Sequence, residues 1–198
     1  MKEGCWPSCV RPRSLVRFTE VTITCAAFLG VSMDGFIAGP DGDLAWLDAT
    51  PNPTESDMGY NDFISSVDAI VMGRGTFETV LGFDGDWPYT IPVLVMSQSL
   101  TEVPIGASNT ELTSLSPAEL VSQLEGRGMS KLYIDGGAVV TSFLDDGLLD
   151  EITTTTIPVA LGSGTPLFGT LSSGAWFDVV TSTVLIDALV QTTYRRRP

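Results

Sequence analysis

Apolar positions along this chain fall in short blocks, separated by turns rich in glycine, proline and aspartate, and the spacing within the blocks alternates between strand-like and helix-like. Val21–Val31 alternates and then runs apolar, which predicts a first, central strand. Ala69–Met72 is small or apolar throughout and is bounded by a glycine, which predicts a short strand buried on both faces. Ile91–Ser97, Lys131–Asp135 and the β-branched run Leu149–Pro158 read as further strands. Between them, Asp57–Val67 places Met58, Tyr60, Phe63, Ile64 and Val67 at helical spacing. A second helix is expected to open at Thr76 as N-cap. A third covers Pro117–Glu125, with Ser116 as N-cap, Pro117 at the first position and Glu119 closing a capping box. A fourth covers Ala138–Asp146. Trp176–Leu185 and Leu189–Arg195 predict a closing antiparallel hairpin around Ile186, Asp187 and Ala188.

Strands alternating with helices specify an α/β fold: a mostly parallel central sheet, here with the C-terminal antiparallel hairpin on one edge. Residues 1–20 differ in character, with four cations, two prolines and no periodicity. They are expected to be a disordered tail or an artefact of start-site assignment, leaving one domain over 21–198. Ligands of such sheets gather at the carboxyl ends of strands. That places loops 32–43, 73–76, 97–99 and 135–138 together.

Charge narrows the chemistry. The net charge is −14, which argues against nucleic acid or an anionic membrane as partner and favours a small-molecule substrate. The absence of histidine removes imidazole bases, Ser-His-Asp triads and histidine zinc sites, and no metal site is expected. Cys5, Cys9 and Cys25 make no disulfide framework, so the compartment reads as cytoplasmic. No apolar run approaches the ~18 residues of a membrane span.

Two strand-to-helix glycine turns stand out, Gly73-Arg74-Gly75-Thr76 and Asp135-Gly136-Gly137-Ala138. A helix N-terminus offers free N–H groups and the positive end of a dipole, the geometry phosphates prefer. Between Val21 and Tyr194 there are three cations against 22 acids, so Arg74 is a candidate for holding an anionic ligand. The alternative is a solvated turn arginine paired with Glu78, four residues on. With Ser97 at a third strand end, the two turns favour a dinucleotide, although the chain lacks the usual GxGxxG fingerprint. Phe36, Trp46, Trp87 and Tyr89 are candidates for an aromatic wall or for core packing.

Four segments in this order, VSMDGFIAGPDGDLAWL (31–47), VDAIVMGRGTFE (67–78), VLVMSQSL (93–100) and LYIDGGAVVTSFLDDGLLDEITTTTIPVALGSGTPLFG (132–169), carry a family resemblance. The chain resembles the dihydrofolate-reductase-like superfamily, in the branch related to the reductase domain of the bifunctional riboflavin-pathway deaminase/reductase. The resemblance implies a three-layer fold of that type and an NADPH cofactor. Gly73, Arg74 and Thr76 match the family's cofactor-phosphate turn, with Arg74 facing the 2′-phosphate. Ser97 matches the position on the adenosine-phosphate side, and Gly136, Gly137, Ala138 and Val139 match the turn beside pyrophosphate and nicotinamide. Asp34, Asp57 and Asp135 match acidic positions on the substrate side. For Asp34 the alternative is an Asx turn bonding its own backbone. For Asp57 it is an exposed acid at a helix start, with Asp62 an equal candidate.

The implied activity is hydride transfer to a C=N or carbonyl carbon of a heterocycle, first a phosphoribosylaminouracil and second a dihydrofolate. A nucleotide-binding protein without turnover is the alternative of another class. Family habit also implies a homodimer. Two departures stand out: Phe36 occupies a position where the riboflavin-type enzymes tend to be basic, and Arg127 and Lys131 are expected on the far side of the sheet, leaving few cations for a phosphoribosyl group.

Overall fold

The structure is a computed structural model that describes residues 23–198. The expected tail over residues 1–20 and the first two residues of the opening strand lie outside the described residues. The chain runs β1 (Thr24–Ser32), β2 (Phe36–Ala38), α1 (Tyr60–Ser65), β3 (Ala69–Gly73), α2 (Arg74–Leu81), β4 (Val93–Met96) and β5 (Thr110–Thr113). It continues through α3 (Pro117–Gly126), β6 (Lys131–Asp135), α4 (Gly137–Asp145), β7 (Glu151–Ile157), β8 (Thr165–Pro166), β9 (Phe177–Leu185) and β10 (Leu189–Arg196).

Eight strands form one sheet in the order β5-β4-β3-β6-β1-β7-β10-β9. Every pairing from β5 to β7 is parallel, and the terminal hairpin joins β7 antiparallel. The centre is buried on both faces, which is why Ala69–Met72 reads as a continuous apolar run: all four residues are inaccessible to solvent. On one face Leu120 and Leu124 of α3 and Phe143 of α4 pack against Cys25, Ala27, Leu132 and Ile134. On the other, Phe77 of α2 packs with Ile70, Met72 and Tyr133, and Tyr60 and Phe63 of α1 lie against them. Truncating a side chain as buried as Phe143 to alanine costs about 3–5 kcal/mol. Among the described residues no helix is long and apolar enough to cross a membrane.

Several local expectations shift. The second helix begins at Arg74 with Gly73 as N-cap, so Thr76 sits inside the first turn. The first helix covers only Tyr60–Ser65, because Gly59 at φ +85° breaks the run. Strand β5 escapes the hydrophobic pattern because its sequence, TELT, is polar and lies on the sheet edge. The apolar patch Leu44–Leu47 becomes a short 3-10 turn whose Trp46 is buried against Ile157 and Leu189. The third helix is capped as its sequence indicates, with the Ser116 and Glu119 side chains each bonding the other's backbone amide.

Candidate functional site

Neighbouring strands β3 and β6 pair in register, Met72 opposite Asp135. Their two following turns therefore leave the sheet side by side. Gly136 takes φ +88°, a backbone conformation that disfavours any side chain. A Cβ on Gly136 would collide with the Thr76 hydroxyl, and one on Gly137 would collide with the Pro166 carbonyl. A Cβ on Gly73 would lie 3.1 Å from Val139 Cγ2. Gly136 and Gly137 are thus required by close packing of the turns on one another and on β8, while Gly73 is merely tight against Val139. Gly75 is different: a Cβ there would meet nothing within 4 Å.

The joined turns line a cleft of about 910 Å³ that also takes in β1, β2 and α1. Gly73, Arg74, Thr76, Gly136, Gly137, Ala138 and Val139 all lie along it. The N-termini of α2 and α4 open onto it, each with first-turn amides that lack an intrahelical acceptor.

Arg74 is exposed at the mouth. Its Nε donates to Glu78 Oε1 at 2.7 Å and its Nη1 to Ser99 Oγ at 2.9 Å. The Glu78 pairing weighed from sequence is therefore present, and Arg74 lines the cleft as well. Ser97 stands one step back. Its Oγ accepts the Ser99 and Leu100 amides at 3.2 and 3.0 Å, shaping the turn that presents Ser99 to Arg74.

Asp135 lies at the inner part of the cleft, on the same face of β6 as Tyr133 two residues earlier. Burial pushes its carboxyl up to about 6, while the Tyr133 hydroxyl and the Gly136 amide pull it down. The Tyr133 hydroxyl donates its hydrogen bond to the Phe28 carbonyl at 2.9 Å. Tyr60 and Tyr89 complete this wall. Burial first, and the Asp135 charge second, raise all three phenols above their ordinary range, so each stays protonated. Phe28 adds a flat apolar surface, itself stacked on Phe63 at 4.9 Å between ring centroids.

The other acids lie elsewhere. Asp34 is not among the cleft-lining residues. Its Oδ1 accepts the Ser32 hydroxyl at 2.7 Å and the Leu161 amide at 3.1 Å, and its Oδ2 accepts the Gly162 amide at 2.7 Å. The Ser32 bond above all holds this exposed carboxyl down at about 2. Asp57 is also outside the lining; it accepts the Asn61 and Gly59 amides at 2.9 and 3.0 Å, which lower its carboxyl, and so organises the start of α1. Of the aromatic candidates only Tyr89 lines the cleft. Trp87 buttresses it from behind, 5.2 Å from Tyr89 and 5.5 Å from Phe77.

Sequence reasoning passed over Phe28, Tyr60, Tyr133 and Ser99. For Tyr133 a signal existed, since residues two apart on a strand share a face, and Asp135 was already a candidate. Tyr60 and Phe28 come from elements whose placement only the packed sheet defines.

With this geometry in place, comparison with known proteins decides the family. The RibD C-terminal domain model matches residues 22–185. The chain belongs to the RibD C-terminal domain family. A Shewanella sp. PV-4 protein named for riboflavin biosynthesis is 42% identical, with a TM-score of 0.86 over 89% of this chain and 100% of that one. The Thermotoga maritima diaminohydroxyphosphoribosylaminopyrimidine deaminase/phosphoribosylaminouracil reductase is 20% identical, with a TM-score of 0.66 over 90% of this chain and 58% of that one. The Enterococcus faecalis dihydrofolate reductase, solved with NADP(H), is 16% identical, with a TM-score of 0.60 over 88% of this chain and 97% of that one. The last two likenesses concern the fold alone, which is dihydrofolate-reductase-like.

Proposed function

We propose that this RibD-like domain is an NADPH-dependent oxidoreductase that reduces a C=N or carbonyl carbon of a heterocyclic substrate. The observation that carries this reading is the junction of the two glycine turns, with Arg74 at the mouth of one cleft and Asp135 at its inner end. The residues present fit a phosphorylated dinucleotide. Two helix N-termini supply first-turn amides without an intrahelical acceptor, Gly75 leaves open space beside them, and Arg74 supplies a cation at the mouth. Gly73, Arg74, Thr76 and the Gly136–Val139 turn would hold the cofactor, with Ser97 acting through Ser99. When bound, the cofactor supplies the hydride.

The chain's own part is positioning and proton supply. A carboxyl held at about 6 keeps a useful protonated fraction near neutrality, so Asp135 can give a proton to the nitrogen or oxygen of the bond being reduced. The three neighbouring phenols remain neutral and line the cleft beside it without adding charge. Asp34 and Asp57, whose oxygens are taken by hydroxyl and backbone donors, shape the surrounding loops. The enzyme works in the cytoplasm as a homodimer, an assembly that sedimentation tests directly.

Titration with NADPH, followed by nicotinamide fluorescence, tests the reading. Saturable binding and oxidation with a heterocyclic substrate are expected. No binding at millimolar cofactor overturns it. Binding without oxidation across aminouracil and pterin substrates selects the non-catalytic nucleotide-binding alternative.

A further inference from the structure

We infer that Tyr133 is a positioning residue for Asp135: its one phenolic hydrogen serves two acceptors in turn, the Phe28 carbonyl while Asp135 carries its proton and the Asp135 carboxylate once that proton has gone. The inference rests on the reductase reading above and adds a residue to its proton step.

The sheet sets the place. β1 pairs with β6 over Thr24–Ala26, against Lys131–Tyr133, and stays paired with β7 as far as Ser32. β6 stays paired with β3 as far as Asp135. β1 and β6 therefore part beyond Ala26, and Phe28, Tyr133 and Asp135 all line the cleft that opens there. The Phe28 carbonyl, two residues past the last β1–β6 pair, takes the Tyr133 hydroxyl at 2.9 Å. A side chain of β6 thus satisfies a backbone acceptor of β1 where the ladder between them has ended.

Tyr133 has little freedom besides rotation of its hydroxyl. It is 4% exposed, and its ring stands edge-on to Phe63 at 5.0 Å between centroids. Asp135, two residues on along the same face, is the second partner of that hydroxyl. A phenol has a single hydrogen, so it cannot donate to both at once. With Asp135 protonated the hydrogen lies on the Phe28 carbonyl, the arrangement the structure shows. With Asp135 ionised the carboxylate is the stronger acceptor, and the hydrogen turns to it. Tyr133 itself keeps its proton throughout, because burial holds the phenol protonated. The groups that face Asp135 are Tyr133 of its own strand, Tyr60 of α1, Tyr89 of the segment before β4 and the Gly136 amide; Arg74 is at the mouth, paired with Glu78.

In the proton step, Asp135 gives its proton to the nitrogen or oxygen of the bond being reduced and is left as a buried carboxylate, which is costly unless it is bonded. The turned hydroxyl supplies that bond until a proton from solvent restores the acid.

A pH titration of the full chain by NMR, with heavy-carbon labels at the Phe28 carbonyl and the tyrosine Cζ, tests this. In the native protein the Phe28 carbonyl is expected to lose its hydrogen-bonded shift, and the Tyr133 Cζ to move with it, at a midpoint of about 6. In Asp135→Asn both signals should stay still. A Phe28 carbonyl that does not move in the native protein overturns the inference, and these two proteins suffice if Tyr133→Phe fails to fold. Where it folds, Tyr133→Phe should move the falling limb of kcat/KM to higher pH by about one unit, a tenfold change in the acid's ionisation. A slower enzyme with an unmoved limb gives Tyr133 a structural role only and overturns the inference as well. The NMR measurement needs no turnover, so the reductase reading fails separately, by an absence of NADPH binding or oxidation.

Discussion

Gly136 and Thr76 meet where the turns after β6 and β3 converge. Any side-chain carbon on Gly136 would strike the Thr76 hydroxyl, and Gly136 holds φ at +88°. The two glycine turns therefore form one packed unit.

Gly136→Ala is expected to cost about 1–3 kcal/mol through its backbone conformation alone, with the Thr76 collision added. Thermal unfolding should show a lower Tm, and NADPH titration a weaker Kd. Adding Thr76→Ala should recover the steric part and leave the backbone part. Full recovery in the double variant would show that φ carries no cost there.

Arg74→Ala should weaken NADPH binding by about 1.5–3 kcal/mol, the range of a hydrogen bond to a charged group, and leave NADH binding nearly unchanged. Parallel titrations with the two cofactors check this. Stability should barely move, because the Arg74–Glu78 pair is exposed on both sides. Equal loss for both cofactors would make Arg74 an ordinary turn residue.

Asp135 gives a pH dependence of definite sign. Its folded carboxyl titrates at about 6, above the ordinary 3.8. Between those values the folded state holds the extra proton, so stability falls as pH rises from 3.8 to about 6. Asp135→Asn should flatten that part of a stability–pH curve measured by denaturant melts. In the reductase assay, kcat/KM should decline above pH about 6, and the asparagine variant should lose both that limb and most of the rate.

Asp34 has the opposite sign. Its folded carboxyl lies at about 2, so its contribution is complete above 3.8 and is lost as pH falls toward 2. Asp34→Ala should lower Tm at neutral pH, reduce the loss on acidification and speed hydrogen exchange at the Leu161 and Gly162 amides, which it accepts. Unchanged exchange at those amides would show that the 160–162 loop holds without it.

Much of the framework was legible along the chain. The apolar run Ala69–Met72, the capped helix from Ser116 and the closing hairpin each follow from local periodicity and turn chemistry, which adjacent residues set. Edge strand β5 was not legible, because a polar strand paired on one side buries too little to leave a pattern.

By itself the sequence determined the α/β alternation, the two glycine turns and the scarcity of cations that makes Arg74 distinctive. Only the tertiary structure decided how these meet. The parallel register of β3 and β6 presses Gly136 against Thr76. The packed sheet gathers Phe28, Tyr60, Tyr89 and Tyr133 around Asp135 from four separate segments. It also places Asp34 and Asp57 in backbone turns outside the cleft lining. A carboxylate's sequence neighbours indicate that it can accept hydrogen bonds. Which donors reach it, and how much water it keeps, depend on residues distant in the chain, and those two quantities set its pKa and its role.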